Sequence, residues 1–536
     1  MTAMPDAVVI GAGPNGLVAA NVLADAGWSV EVLEAQDEPG GAVRSDRGVD
    51  PDFVSDVFSA FYPMAAASPV LAALDLDREG LRWSHAPHVL AHPLPDGRCA
   101  VLDRGLDATA ASADSFAEGD GAAWREWYAL WQRVGGSLLD CLFTPFPPVR
   151  AGVRLAARLR AAGALRFARM GVLPARRLGE EQFAGEGARL LLAGNALHAD
   201  LAPETAGSGI FGWLMSMLAQ DVGFPVPVGG AGMITTALAG RLERRGGTLR
   251  CGTPAERVVV RSGRAVAVRT AGGEEIPARR AVLAALPAPL LYERMLRRCD
   301  LPAGLLCELR RFQWDFSTFK VDWALDGPVP WTAPAARQAG TLHLADSVDD
   351  LTRFAAQLAT RHVPDRPFSL FGQMTTADPT RSPAGTQSAW AYTHVPQVVA
   401  GDAGEDGITG SWDLAQQNAM ADRIEAYVER YAPGFRALIR GRRILAPPTL
   451  QQLDAGLQGG AVNGGTTALH QELVFRPVPG LGRPETPVRA LYLASSSAHP
   501  GGAVHGAPGA NAARAALSLP PVNAALSRAQ RALAGG

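Results

Sequence analysis

A short apolar run, Asp6 to Ile10 (D-A-V-V-I), ends abruptly on a glycine and predicts a buried strand. From Leu17 to Ala26 the apolar positions recur at helical spacing. Ser29 to Leu33 returns to a strand pattern and stops at Glu34. Further along, Trp83 to Leu102 alternates around Pro95-Asp96-Gly97 and predicts a hairpin. Asp107 to Trp131 has helical spacing, with Asp120 near a helix start, and Glu180 to Gln220 is apolar and helical. Within it, Gly209 to Leu218 suits a buried helix. Pro225 to Gly247 opens a helix after a Gly-rich turn. Thr248 to Leu286 predicts four strands, turning at Ser262-Gly263 and Gly272-Gly273, with Val258 in the second and Ala281 to Ala285 as the last. Trp314 to Ala324 predicts a strand with Phe319, Val321 and Trp323 on one side and Lys320, Asp322 and Ala324 on the other. Another strand runs through Trp390 to His394. Leu414 to Tyr431 predicts a helix with Met420, Ile424 and Val428 on one face. Leu491 to Ala494 reads as a buried strand, and Ala510 to Leu517 as the start of a helix.

The first of these junctions carries chemistry. Gly11, Gly13 and Gly16 form G-x-G-x-x-G between strand and helix, with Pro14 and Asn15 in the turn. Gly11 permits the tight turn, Gly13 lets backbone approach a pyrophosphate, and Gly16 lets helix and strand pack closely. The helix N-terminus offers N–H groups and a positive dipole end to phosphates. Glu34, with Ala35 beside it, ends the second strand where an acid accepts hydrogen bonds from ribose hydroxyls and favours an unphosphorylated ribose. The pattern predicts a dinucleotide-binding site. Directly after it comes Asp37 to Ser45, containing Gly40, Gly41, Ala42, Val43 and Arg44. This segment resembles the Gly-Gly stretch of two-dinucleotide-binding flavoproteins, and the resemblance implies FAD rather than NAD, with Arg44 facing the cofactor.

Length and composition narrow the class. A chain of 536 residues exceeds one core, so two or three domains are expected. A net charge of −2 gives no electrostatic case for nucleic acid. The five cysteines are scattered without C-x-x-C, which predicts no metal site and a reducing compartment. There is neither a secretory pattern at the N-terminus nor a run of 18 apolar residues, so a soluble cytoplasmic protein is expected. Residues 146–178 hold eight arginines and no acid, interleaved with apolar positions. They fit either a solvated helix face or peripheral contact with an anionic membrane. Lys320 is the single lysine among 50 basic residues, and marks a place where a titratable amine could matter.

Near the C-terminus, Ser495 to Gly509 forms a Gly-rich loop between strand and helix, containing His499, Gly501, Gly502, Val504 and His505. With P-G-G-A-V-R-S at the start, P-V-G-G-A-G before the middle helix and H-P-G-G-A-V-H-G here, the chain resembles phytoene desaturase-type FAD oxidoreductases. Phe319-Lys320-Val321-Asp322 and Trp390 to Pro396 resemble their broad phytoene dehydrogenase-like branch. The resemblance implies an α/β architecture with a Rossmann-type FAD-binding domain built from 1–50, 225–290 and 485–536. It also implies a mixed-sheet substrate domain from 51–110 and 300–484 and a helical cap from 111–224. It places the backbone of Val258 against the adenine, and Gly501, Gly502 and Val504 near the flavin ring. Ser495 and Ser496 stand where many related flavoproteins have an acid, and no strict amine-oxidase signature is present, which weighs against amine substrates. The implied activity is hydride transfer from a lipophilic isoprenoid, polyene or polyketide-like molecule to flavin N5, with oxygen, a quinone or a carrier as electron acceptor. A redox-neutral polyene isomerase and a non-enzymatic binding protein remain as alternatives. Candidate acid–base residues are His505 first, then Lys320 and His394, with His470 and His499 behind them.

Overall fold

The computed structural model describes residues 4–518. Its first layer is a five-stranded parallel sheet in the order Leu491–Leu493, Ala281–Ala284, Ala7–Ile10, Val30–Leu33, Thr248–Arg250. The Ala7–Ile10 strand lies at its centre and is buried throughout, as its unbroken apolar run requires. Helix Pro14–Asp25 starts with Pro14 in its first turn, where a missing N–H costs nothing. It packs between helices Gly232–Arg244 and Ala507–Leu517. The Asn21 amide, buried among them, donates to Leu17 O and Leu238 O, both at 2.9 Å. Gly509 is required at the second contact, because a Cβ there would collide with Asn15 O. The C-terminal part of the described chain therefore closes directly over the first helix.

Between 248 and 286 the structure has five strands, one more than the pattern predicts. The addition, Glu275–Pro277, has three residues and buries only Ile276 among them, too little to show as periodicity. It completes an antiparallel meander with Ala255–Arg261 and Arg264–Thr270.

The second sheet is mixed and has seven strands, ordered Ile439–Leu445, Ser317–Leu325, Gln387–Val395, Ser369–Gln373, Ala339–Leu344, His88–Pro93, Cys99–Leu102. Only the Ala339–Leu344 and His88–Pro93 pair is parallel. In the Ser317–Leu325 strand, Phe319, Val321 and Trp323 enter one hydrophobic cluster with Met420, Ile424 and Val428 of helix Leu414–Glu429. The opposite face is buried as well. There the register sets Thr318 against His394, Lys320 against Tyr392 and Asp322 against Trp390.

Helices Asp120–Phe143, Val149–Met170, Ala175–Gln182, Glu186–His198 and Ser208–Asp221 make up a helical stretch with no strand between them. Asp120 ties two of its segments together by accepting the Ala184 and Gly185 N–H groups at 2.8 Å each. Trp213, Met217 and Leu218 are fully buried, in keeping with the interior helix expected over 209–218. Among the described residues no helix is long and apolar enough to cross a membrane.

Candidate active site

A cavity of about 570 Å³ runs between the parallel sheet and the mixed sheet. At one end lie Gly11, Gly13, Pro14, Asn15 and Gly16, with Glu34 and Ala35 at the tip of the second strand. The glycines are needed for three separate reasons. Gly11 has φ +93°, a Cβ on Gly16 would collide with Gly11 O, and Gly13 must let Gly41 approach, whose own Cβ would lie 3.1 Å from Gly13 Cα. The Glu34 carboxylate is held in place by two backbone donors, Ala12 N–H to Oε2 (2.7 Å) and Gln36 N–H to Oε1 (3.0 Å). Asn15 Oδ1, at the first helical turn, is buried with no hydrogen-bond partner among the described residues. A bare helix N-terminus, two closely apposed glycines, a fixed acid and an orphaned polar atom fit a bound dinucleotide.

Gly41, Ala42 and Val43 continue the wall. They are held from behind, with Ser59 Oγ donating to Ala42 O (2.9 Å) and Thr235 Oγ1 to Val43 O (2.7 Å). Gly40 (φ +130°) makes the turn behind them and lies off the cavity surface. Arg44 also lies off it. Its guanidinium donates to Gly41 O (3.1 Å) and Leu453 O (2.9 Å), pairs with Glu38 (3.3 Å) and sits over the Phe58 ring. It fastens the Gly-Gly segment to the chain around 453 and does not face the cavity. Val258 likewise differs from expectation. Its side chain is buried in a cluster with Val8, Ile10 and Leu33, and the strand presents Ala255 and Glu256 to the cavity instead.

The terminal loop contributes Ser495, Ser496, Ala503 and Val504 to the wall. Gly501 and Gly502 support it from behind: a Cβ on Gly501 would meet Arg476 Nε and Glu472 Oε1 at 3.3 Å, and one on Gly502 would press on Asn463 Oδ1 at 2.5 Å. His505, the leading acid–base candidate, is not available for chemistry. Its Nδ1 accepts from Ala507 N–H (3.1 Å), so Nε2 carries the proton and donates to Gly502 O (2.9 Å). Burial against Phe143 holds its pKa down at about 4. His499 is similarly committed to Thr144 O (3.0 Å), and His470 is exposed beside Gln313.

Lys320 does reach the cavity, together with Thr318 and Tyr392. Its Nζ donates to Asp56 O (2.7 Å) and pairs with Asp322, whose other oxygen takes Arg443 (2.9 Å). Burial pushes the amine's pKa down, against the pull of Asp322. Asp56 is itself gripped by buried Arg381 (2.9 Å), so the lysine is held in a rigid charged network. His394 lies one cross-strand pair further in and off the wall. Its Nε2 is 2.7 Å from Asp200 Oδ1, and although burial opposes it, the charge of Asp200 raises the imidazole's pKa. Asp200 also receives the amide of Asn463, which lines the cavity.

Several residues of the site carry no local sequence signal. Asp315 accepts the N–H groups of Val462 (2.7 Å), Asn463 (2.8 Å) and Gly465 (3.0 Å), and burial raises its pKa to about 6. Arg476, fully buried, donates to the carbonyls of Ser496, Asn463 and Thr466 and pairs with Glu472. Asp454 lines the cavity beside Gly41. Among the described residues no group of His, Cys, Asp or Glu is arranged to hold a metal ion.

The family described as flavin containing amine oxidoreductase matches residues 15–382. The chain is 28% identical to pyridine nucleotide-disulfide oxidoreductase domain-containing protein 2 of Rattus norvegicus, over 95% of this chain and 92% of that one. It is 27% identical to the all-trans-zeta-carotene desaturase of Myxococcus xanthus, over 92% of this chain and 89% of that one. Among solved structures it resembles cyclohexylamine oxidase from Brevibacterium oxydans, with TM-score 0.56, 16% identity and coverage of 98% and 99%. It also resembles putrescine oxidase bound to putrescine, with TM-score 0.58, 17% identity and coverage of 95% and 97%. At these identities the structures establish the fold.

Proposed function

The chain belongs to the flavin-containing amine oxidoreductase family, and on that premise we propose that it dehydrogenates a lipophilic small molecule of isoprenoid, polyene or polyketide-like class. The observation that carries this reading is the continuity of one cavity, from the Gly13–Glu34 cradle to the Lys320–Tyr392 pair of the mixed sheet. FAD, when bound, supplies the hydride acceptor. Gly11, Gly13, Gly16, Gly41 and Glu34 would hold it, with Ser495, Ser496 and Val504 on the same cavity wall. Phe58 and Leu450, packed beside Ala42 of the Gly-Gly segment, give the cavity an apolar wall that suits a substrate with little polar surface. Lys320 is the amine on the wall beside Tyr392, with Asp322 behind it to exchange its proton. Oxygen, a quinone or a carrier would serve as the electron acceptor. The distant similarity to carotenoid desaturases supports the substrate class. The arginine-rich cap helix supports peripheral contact with an anionic membrane.

The test begins with an absorbance spectrum of the purified protein and continues with anaerobic titration against isoprenoids, polyenes and polyketide-like compounds. Flavin bands near ~370 and ~450 nm that bleach with one compound class are expected. Rearrangement of a polyene by the pre-reduced protein, without net electron transfer, would replace dehydrogenation with isomerisation. Folded protein that takes up no FAD would overturn the reading.

A further inference from the structure

Asp454 belongs to no recognised motif, yet it occupies a central place in the cradle. It follows helix Pro447–Leu453 in extended backbone and lines the cavity together with Gly13 and Gly41. The carbonyl just before it, Leu453 O, takes the hydrogen bond from Arg44, so the Gly-Gly segment and the Asp454 backbone are held in one register. One carboxyl oxygen is occupied, since Gly456 N–H donates to Oδ1 at 2.8 Å. The other, Oδ2, faces Gly41. A Cβ on Gly41 would stand 3.4 Å from Oδ2 and 3.1 Å from Gly13 Cα, so carboxyl and glycine turn flank the same point. No hydrogen bond reaches Oδ2 from the described residues.

That point adjoins the N-terminus of helix Pro14–Asp25, where free N–H groups and the positive dipole end favour phosphate. An ionised carboxylate opposite a diphosphate would repel it, whereas a carboxylic acid would donate a hydrogen bond to it. The charged groups that act on Asp454 are Glu34, at the tip of the second strand, and Arg44, on the Gly-Gly segment. Burial raises the pKa of the carboxyl and Glu34 adds to the rise, against the Gly456 N–H and Arg44.

We propose that Asp454 binds the diphosphate of FAD by donating a hydrogen bond from its protonated Oδ2 to a phosphate oxygen. The proposal rests on the FAD reading above. It requires that binding retain a proton on Asp454, so affinity for FAD falls as pH rises through the pKa of this carboxyl. The limiting slope is about tenfold per pH unit.

The experiment measures the Kd of FAD for the apoprotein by flavin fluorescence across the pH range over which the protein stays folded. Wild type is compared with Asp454→Asn, whose amide donates at every pH. ADP-ribose and adenosine are titrated against wild type by calorimetry. The expected result is a Kd for FAD that rises about tenfold or more with pH in wild type and stays flat in the variant. ADP-ribose should follow FAD, and adenosine, which lacks the diphosphate, should not. A flat wild-type curve, a Kd that falls with rising pH, an undiminished rise in Asp454→Asn, or the same rise with adenosine would each overturn the proposal. If the variant does not fold, the comparison of ADP-ribose with adenosine on wild type decides. Folded protein that binds FAD at no pH would overturn the cofactor reading itself.

Discussion

His505 spends both ring nitrogens on its own loop, and the consequence is a pH signature. A buried imidazole whose pKa is about 4 in the folded protein and about 6.5 when unfolded carries no penalty above the unfolded value. The penalty appears as pH falls below about 6.5 and is complete near 4, at about 3 kcal/mol in the limit. His505→Gln preserves a donor for Gly502 O and an acceptor for Ala507 N–H but cannot be protonated in this range. Its urea-unfolding stability should therefore decline less than that of wild type between pH 6.5 and 4, by roughly that amount; parallel curves would mean that the imidazole is not held neutral. Lys320 gives the opposite kind of prediction, because it faces the cavity. Lys320→Gln should keep its bound flavin, while substrate-driven bleaching in stopped flow slows about 100-fold or more. An unchanged rate would move proton removal to another group.

Helix Val149–Met170 is the element whose chemistry is least satisfied by the rest of the protein. Val149, Val153 and Leu165 on it, and Val172 just beyond it, are exposed. Arg154 pairs with Asp140 and Arg169 with Glu181, but Arg150, Arg160 and Arg166 meet no acid among the described residues. Arg160 (φ +58°) interrupts the helical backbone, so the two halves are separate short helices joined at a kink. Each arginine near an anionic bilayer is worth about 1 kcal/mol. Replacing Arg150, Arg160 and Arg166 together with Gln should weaken co-sedimentation with phosphatidylserine vesicles by about two orders of magnitude. Wild-type binding should itself fall steeply with salt. Equal binding by wild type and variant, or none by wild type, would leave this helix as a solvated face of the cap.

Across the whole molecule, the features legible in the sequence are those written into short spacing. The Ala7–Ile10 strand, the three glycines, helix Pro14–Asp25 and Glu34 all fall within 28 residues, and each has a local physical reason. The mixed sheet was legible strand by strand where apolar residues alternate, as at Phe319, Val321 and Trp323. What could not be read are the partners that meet from afar. Arg44 finds Leu453, Asp315 finds Val462 to Gly465, and Arg381 finds Asp56, pairings that no periodicity announces. Arg476, Asp315 and Asp454 would pass for surface charges in a sequence, because only the assembled fold encloses them. Val258 lies off the cavity wall for a smaller reason: the strand is legible, but which of its residues reach a neighbouring cavity depends on where the sheets meet. The closure of helix Ala507–Leu517 over Asn15 has a bearing on how the protein is made. Synthesis at roughly 5–20 residues per second leaves the first strand and its glycine turn outside the ribosome for tens of seconds before their final covering helix exists. During that interval the nascent chain displays an apolar strand beside an incomplete cradle, and the cradle is closed only once residues 507–517 have been made.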